Sequence, residues 1–190
     1  MRAFTFLVEY LKNPRSIGSL VPSSRFLART MLHYVDFSRV STIIELGAGT
    51  GNITEEIARC KKPGARLLSF EPHPLFYKIL VERFHNNNQE IQLVQTRAEN
   101  FSAYLRGQGL SAPDAVISSL PLATWSPEHQ FNTLELIAEA LPPRGVFVQF
   151  QYLLPCKHYA SSCLKELFLR VYCESSLLNI PPARVYTCVK

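Results

Sequence analysis

Between Thr42 and Ile53 the chain reads TIIELGAGTGNI. A β-branched apolar run that stops at three alternating glycines, with helical spacing of apolar residues beyond, predicts a buried strand, a sharp turn and a helix. No other stretch narrows the fold as far, because such units pack into parallel sheets covered on both faces. The rest of the chain repeats the alternation. Strands are expected at Thr42–Leu46, Arg66–Phe70, Ile91–Thr96, Ala115–Ser118 and Gly145–Leu153, and helices at Ile53–Cys60, Phe76–Phe84, Phe131–Leu141 and Ala160–Phe168. Leu169–Glu174 and Ala183–Val189 are expected to close the sheet as an antiparallel pair. The reading is an α/β, doubly wound sheet of seven mostly parallel strands, with an antiparallel C-terminal strand.

At 190 residues the chain suits one well-buried domain, with 47% apolar and 18% charged residues and no repeat or linker. Residues 1–38 are expected to be a helical extension and residues 39–190 the domain. The net charge of +5 is concentrated near the start, where Arg2, Lys12, Arg15, Arg25 and Arg29 face only Glu9. That bias fits an anionic partner, either lipid headgroups or RNA. Cys60, Cys156, Cys163, Cys173 and Cys188 form no C-x-x-C pair, which argues for reduced thiols over a disulfide framework or a zinc site. No apolar run reaches the roughly 18 residues of a spanning helix, and the apolar run before Glu9 is too short for a signal peptide. The expectation is a soluble or peripheral intracellular protein.

The glycines are spaced G-x-G-x-G, one residue short of the dinucleotide fingerprint, and no Lys-Ser/Thr follows to make a triphosphate loop. Glu71 ends the second strand about 20 residues on, where an acid can accept both hydroxyls of a ribose. Together they point to a nucleoside ligand. E-L-G-A-G-T-G followed by a strand-end acid resembles the class I S-adenosylmethionine-dependent methyltransferases, over residues from about 40 to 155 and at the level of a Rossmann-like fold and its cofactor. By that resemblance Gly47, Gly49 and Gly51 line the methionine part of S-adenosylmethionine, Glu45 helps hold its amino acid end and Glu71 holds its ribose. Ala98 and Glu99 fall where the family contacts adenine, and Ser118 ends the fourth strand beside the reacting methyl group.

The segment DAVISSLPLATW follows. Methyltransferases of nucleobase amines resemble one another here, with Asn or Asp, then Pro, Pro and an aromatic ring that stacks on the flipped base. This chain has Ser119, Leu120, Pro121 and Leu122, so the loop suits an amine but lacks the stacking ring. Together with LKNPRSIGSLVPSSRFLARTM and NIPPARVY it resembles the small bacterial phospholipid N-methyltransferases, which methylate phosphatidylethanolamine and are similar to ribosomal RNA adenine dimethylases. The resemblance implies that Gly18, Ser23 and Ser24 close over the cofactor and that the first helix touches an anionic phospholipid surface at the inner face of the cell membrane.

On the residues alone, Phe4, Leu7, Val8 and Leu11 share one helical face; periodicity favours packing of that face on the domain's own surface, the phospholipid resemblance brings a headgroup layer level with it, and a dimer contact is a third reading. Ser119 and the Leu120 carbonyl are expected to hold the amine. Tyr152 and Tyr10 are candidate π-faces for a methylated cation, and Arg184 is a candidate for the lipid phosphate. His73 is a candidate base or a structural residue. An RNA adenine dimethylase, a small-molecule amine methyltransferase and a non-catalytic binding subunit remain as alternatives, with no metal and no stable nucleic-acid partner expected.

Overall fold

In the computed structural model, which describes residues 25–85, 91–152, 161–176, 179 and 182–190, seven strands form one sheet in the order β3-β2-β1-β4-β5-β7-β6. The strands are β1 (Thr42–Leu46), β2 (Arg66–Phe70), β3 (Ile91–Val94), β4 (Ala115–Ser118), β5 (Val146–Tyr152), β6 (Arg170–Ser176) and β7 (Ala183–Val189). β1 to β5 run parallel, while β7 is antiparallel to both β5 and β6. The described helices are α1 (Arg25–Leu32), α2 (Asn52–Cys60), α3 (Pro74–Phe84), α4 (Phe101–Gly107), α5 (Pro127–Ala140) and α6 (Ser161–Leu167), with short 3-10 turns at Ala98–Asn100 and Leu122–Thr124. This is the Rossmann-like, doubly wound arrangement expected from the sequence.

Side chains alternate across the sheet with the period of two that a strand imposes. Ile44, Leu68, Val116 and Phe147 face one layer, built with Phe101 of α4, Leu134 and Ile137 of α5 and Leu164 of α6. Ile43, Leu67, Ile117 and Val148 face the other, built with Leu27 and Met31 of α1 and Ile53 and Ile57 of α2. Because both faces are covered, the central strands read as unbroken apolar runs rather than as alternating ones.

The differences from expectation have local causes. α5 begins before Phe131 because Pro127 opens it and the Ser126 hydroxyl accepts the His129 N–H at 3.3 Å, the proline lacking only an N–H that a first turn leaves unpaired. β3 stops at Val94, where the Thr96 N–H turns back to the Val94 carbonyl at 3.0 Å. α1 was not expected as a separate helix; it is short and is held by burying Leu27, Ala28, Met31 and Leu32. Glu56, near the start of α2, is buried and paired with Arg29 of α1 and Arg59. At the amino end of β5, the Lys190 N–H donates to the Gly145 carbonyl and the Arg144 N–H to the Lys190 carbonyl, each at 3.0 Å.

Candidate functional site

The strand order reverses between β1 and β4, and in such sheets ligands lie beyond the carboxyl ends at that reversal. The chain leaving β1 and the chain leaving β4 are tied together there: the Ser119 N–H donates to the Leu46 carbonyl at 2.9 Å, and the Gly47 and Ala48 N–H groups donate to the Phe70 carbonyl of β2. Gly47, Gly49 and Gly51 have φ of 77°, 57° and 86°, left-handed values that favour glycine. Their surroundings separate their roles. A Cβ on Gly49 would meet nothing within 4 Å, whereas one on Gly51 would lie 2.6 Å from Phe84 Cε2 and 2.9 Å from Leu80 Cδ2. Gly51 thus admits α3 to the turn, and Gly49 faces open space. On Gly47 a Cβ would lie 3.5 Å from Leu120 Cδ2, so this glycine brings the turn against the loop after β4.

Arg83 of α3 fastens the turn from outside. Its guanidinium donates to the Thr50 carbonyl at 2.6 Å and to Asn52 Oδ1 at 2.9 Å, and it pairs with Glu55.

Two buried acids flank the open space. Glu45 is fully enclosed in β1, where its Oε2 accepts the hydroxyls of Thr54 at 2.7 Å and Ser69 at 2.6 Å, while Oε1 has no partner. Burial pushes its carboxyl up to about 7, against the opposing pull of the Ser69 and Thr54 hydroxyls; the Glu71 charge adds to the rise and Arg83 moderates it. Glu71 is held by two backbone N–H groups, from Gly49 to Oε2 at 2.8 Å and from His73 to Oε1 at 2.9 Å. Burial raises its carboxyl too, and those two N–H bonds oppose the rise. His73 itself is half-buried against Phe76.

The loop after β4 is tightly held. Ser118 is buried and its Oγ accepts the Leu120 N–H at 3.3 Å. Ser119 is half-buried and its Oγ has no partner. The Leu120 carbonyl, expected to hold an amine, accepts three donors: the Leu122 N–H at 2.8 Å, Gln149 Nε2 at 3.0 Å and Gln151 Nε2 at 3.2 Å. Three donors occupy both lone pairs of a carbonyl, so in this conformation the Leu120 oxygen has none left for an amine, while the enclosed Ser119 Oγ keeps no hydrogen-bond partner. Leu122 is completely buried in the α5 layer.

Ala98 is buried, and Glu99 beside it pairs with His129 of α5 at 3.1 Å and with Arg97 at 3.7 Å; the His129 ring lies 4.3 Å from that of Trp125. Tyr152 ends β5 edge-on to Phe150. Arg184 is exposed on β7 opposite Gln151 in register and hydrogen-bonds to Tyr186. Glu45, the glycines, Glu71 and Ser118–Leu120 therefore gather at the reversal; Glu99, Tyr152 and Arg184 stand to either side along the same carboxyl edge. Tyr10, Gly18, Ser23 and Ser24 lie outside the described residues. Gln149, Gln151 and Arg83 were not anticipated. Among the described residues no group of His, Cys, Asp and Glu is placed to hold a metal, and no helix is long and apolar enough to cross a membrane.

No family model matches the chain. Over 189 residues it is 31% identical to the ornithine lipid N-methyltransferase of Singulisphaera acidiphila, covering 97% of this chain and 94% of that protein. The chain belongs to the class I S-adenosylmethionine-dependent methyltransferases. It is also 26% identical over 128 residues to the ribosomal RNA small subunit methyltransferase A of Thermotoga petrophila, a match that spans 67% of this chain but 45% of that protein. Among solved structures, the N-methyltransferase NodS from Bradyrhizobium japonicum in complex with S-adenosyl-L-homocysteine shares the fold, with a TM-score of 0.66 and 16% identity over 100% of this chain and 99% of that one.

The cofactor of this methyltransferase is S-adenosylmethionine, and the cradle fits it. Glu45 Oε1 lacks a partner, the Glu71 carboxylate is bonded to the turn through the Gly49 N–H, and open space lies beside Gly49; carboxylates are the partners that ammonium and hydroxyl donors take.

Proposed function

We propose that this methyltransferase acts on the nitrogen of a membrane-lipid headgroup amine. The observation that carries the reading is the loop after β4: Leu122, at the position where base methyltransferases carry the stacking ring, is a leucine wholly buried in the core, while Ser119 Oγ is left partnerless. The near full-length likeness to an ornithine lipid N-methyltransferase supports it. Phosphatidylethanolamine, expected from the sequence resemblance, and ornithine lipid both offer an aliphatic amine on a flexible headgroup.

When bound, S-adenosylmethionine supplies an electrophilic methyl group on a sulfonium. The chain's part is alignment. Glu45 and Glu71 hold the two ends of the cofactor. Ser119 Oγ would accept an N–H of the neutral amine and so orient its lone pair for attack on the methyl donor. The lipid ammonium releases its proton to water beforehand, with no side chain assigned as base. Methyl transfer to the amine would exchange a carbon–sulfur bond of the cofactor for a carbon–nitrogen bond. Arg184 faces the headgroup phosphate where there is one, and Tyr152 offers its ring to the methylated cation. Ala98 and Glu99 flank the adenine. Gly18, Ser23 and Ser24 cover the cofactor, and Tyr10 and the basic start of the chain meet an anionic membrane surface peripherally.

The test is transfer from methyl-labelled S-adenosylmethionine to vesicles containing phosphatidylethanolamine, to vesicles containing ornithine lipid, and to total bacterial RNA. Label in either lipid is expected. Label in RNA alone would replace this reading with an adenine methyltransferase.

A further inference from the structure

Two glutamines inside a strand need an explanation. Gln149 is 0% and Gln151 7% exposed, and burying a carboxamide is unfavourable unless its hydrogen bonds are made. They stand two residues apart on one face of β5, and Gln149 pairs in register with Ser118, the last residue of β4. Their side chains therefore reach the point where the chain leaves β4 for the acceptor loop. There both Nε2 groups converge on one atom, the Leu120 carbonyl oxygen, at 3.0 Å and 3.2 Å. Gln151 Oε1 also accepts the Ala123 N–H at 3.4 Å, and Gln149 Nε2 donates to the Phe150 carbonyl at 2.6 Å. Flipping the Gln149 amide would set its oxygen against the Leu120 oxygen, so the donor orientation is the only one that fits.

We propose that Gln149 and Gln151 are positioning residues that decide how the acceptor loop meets its substrate: they capture the Leu120 carbonyl inside the protein and leave the Ser119 hydroxyl as a loop oxygen without a partner. The proposal deepens the amine reading above and rests on it for the substrate. A planar exocyclic amine presents two N–H bonds in one plane and is held best by two acceptors. An aliphatic amine is tetrahedral and rotates freely, so one acceptor suffices to aim its lone pair. With the Leu120 oxygen withdrawn, the loop selects the second kind.

The test uses the full-length chain and three variants, Gln149→Glu, Gln151→Glu and Gln151→Leu. Glutamate keeps the shape of glutamine, donates when protonated and only accepts when ionised, so it repels the Leu120 oxygen as pH rises. Amide hydrogen exchange at Leu122 and Ala123, measured with S-adenosylhomocysteine bound, reads the clamp without any acceptor. Exchange is expected to quicken in Gln151→Leu at all pH. In the two glutamate variants it should quicken relative to wild type only toward high pH. Calorimetric affinity for S-adenosylhomocysteine should stay within about twofold, while kcat on lipid-amine vesicles falls about 10- to 100-fold, the scale of an ångström-sized misplacement. The ratio of Gln149→Glu to wild-type activity should recover as pH falls. Unchanged exchange together with an unchanged kcat ratio across pH would overturn the clamp. Altered exchange with no label in lipid from the wild type would uphold the clamp and reject the lipid-amine reading.

Discussion

Replacing Glu45 by Gln should make the protein more stable and its cofactor weaker, and the two effects share one cause. The carboxyl titrates at about 7 in the folded chain against an ordinary 4.5. Its folded value is raised, so its contribution to stability is fully present below the unfolded value and is lost as pH rises through the folded one. At about 1.4 kcal/mol per unit, ionising it in place costs the cofactor-free protein up to about 3 kcal/mol once pH exceeds both values. Glutamine keeps a carbonyl oxygen for Thr54 and Ser69 without that charge. Urea unfolding of the cofactor-free protein should therefore show wild type and Glu45→Gln nearly equal near pH 5, with the variant drawing ahead and levelling off above about pH 8. Calorimetry with S-adenosylhomocysteine should show the variant binding about 10- to 100-fold more weakly, for loss of a charge-assisted hydrogen bond to the ligand's ammonium. A stability difference that does not change between about pH 5 and about pH 8 would refute the assignment of this titration to Glu45.

The same carboxylate predicts that S-adenosylhomocysteine binding releases a proton near neutral pH, seen as a binding enthalpy that changes with buffer ionisation enthalpy; equal enthalpies in all buffers would count against it. Gly51→Ala should cost about 2–5 kcal/mol in unfolding measurements, since its Cβ is driven into Phe84 and Leu80 at a left-handed φ. Gly49→Ala should cost only about 1–2 kcal/mol of stability from backbone strain and should chiefly weaken cofactor binding. Ser119→Ala should lower kcat on lipid-amine vesicles by about 10-fold or more with S-adenosylhomocysteine affinity unchanged; full turnover would remove that hydroxyl from the mechanism.

What the sequence disclosed was local. A β-branched run ending in left-handed glycines has few alternatives, so β1, the turn and α2 were legible, and Glu71 followed from its distance along the chain. What it concealed was made by contacts between distant segments. VFVQFQY alternates apolar and polar residues and reads as a strand with one wet face, yet Gln149 and Gln151 are buried because the loop after β4 folds over them. The Leu120 oxygen was assigned to a ligand because no pattern in the sequence shows two side chains some 30 residues later bonding to it. The three glycines look equivalent as letters, and only the approach of α3 separates Gly51 from Gly49. Glu56 follows the helix-start rule for acids, but α1 lies across it and supplies Arg29.

The tie between Lys190 and Gly145 has a practical consequence. It anchors Lys190 at the amino end of β5, the whole height of the sheet away from Ser119 and the glycine turn. A fluorophore, affinity handle or surface tether attached at Lys190 therefore points away from the substrate. Protein immobilised through Lys190 presents its carboxyl edge outward, and a sensor chip prepared in this way can be swept with vesicles of different composition while the candidate site stays unobstructed.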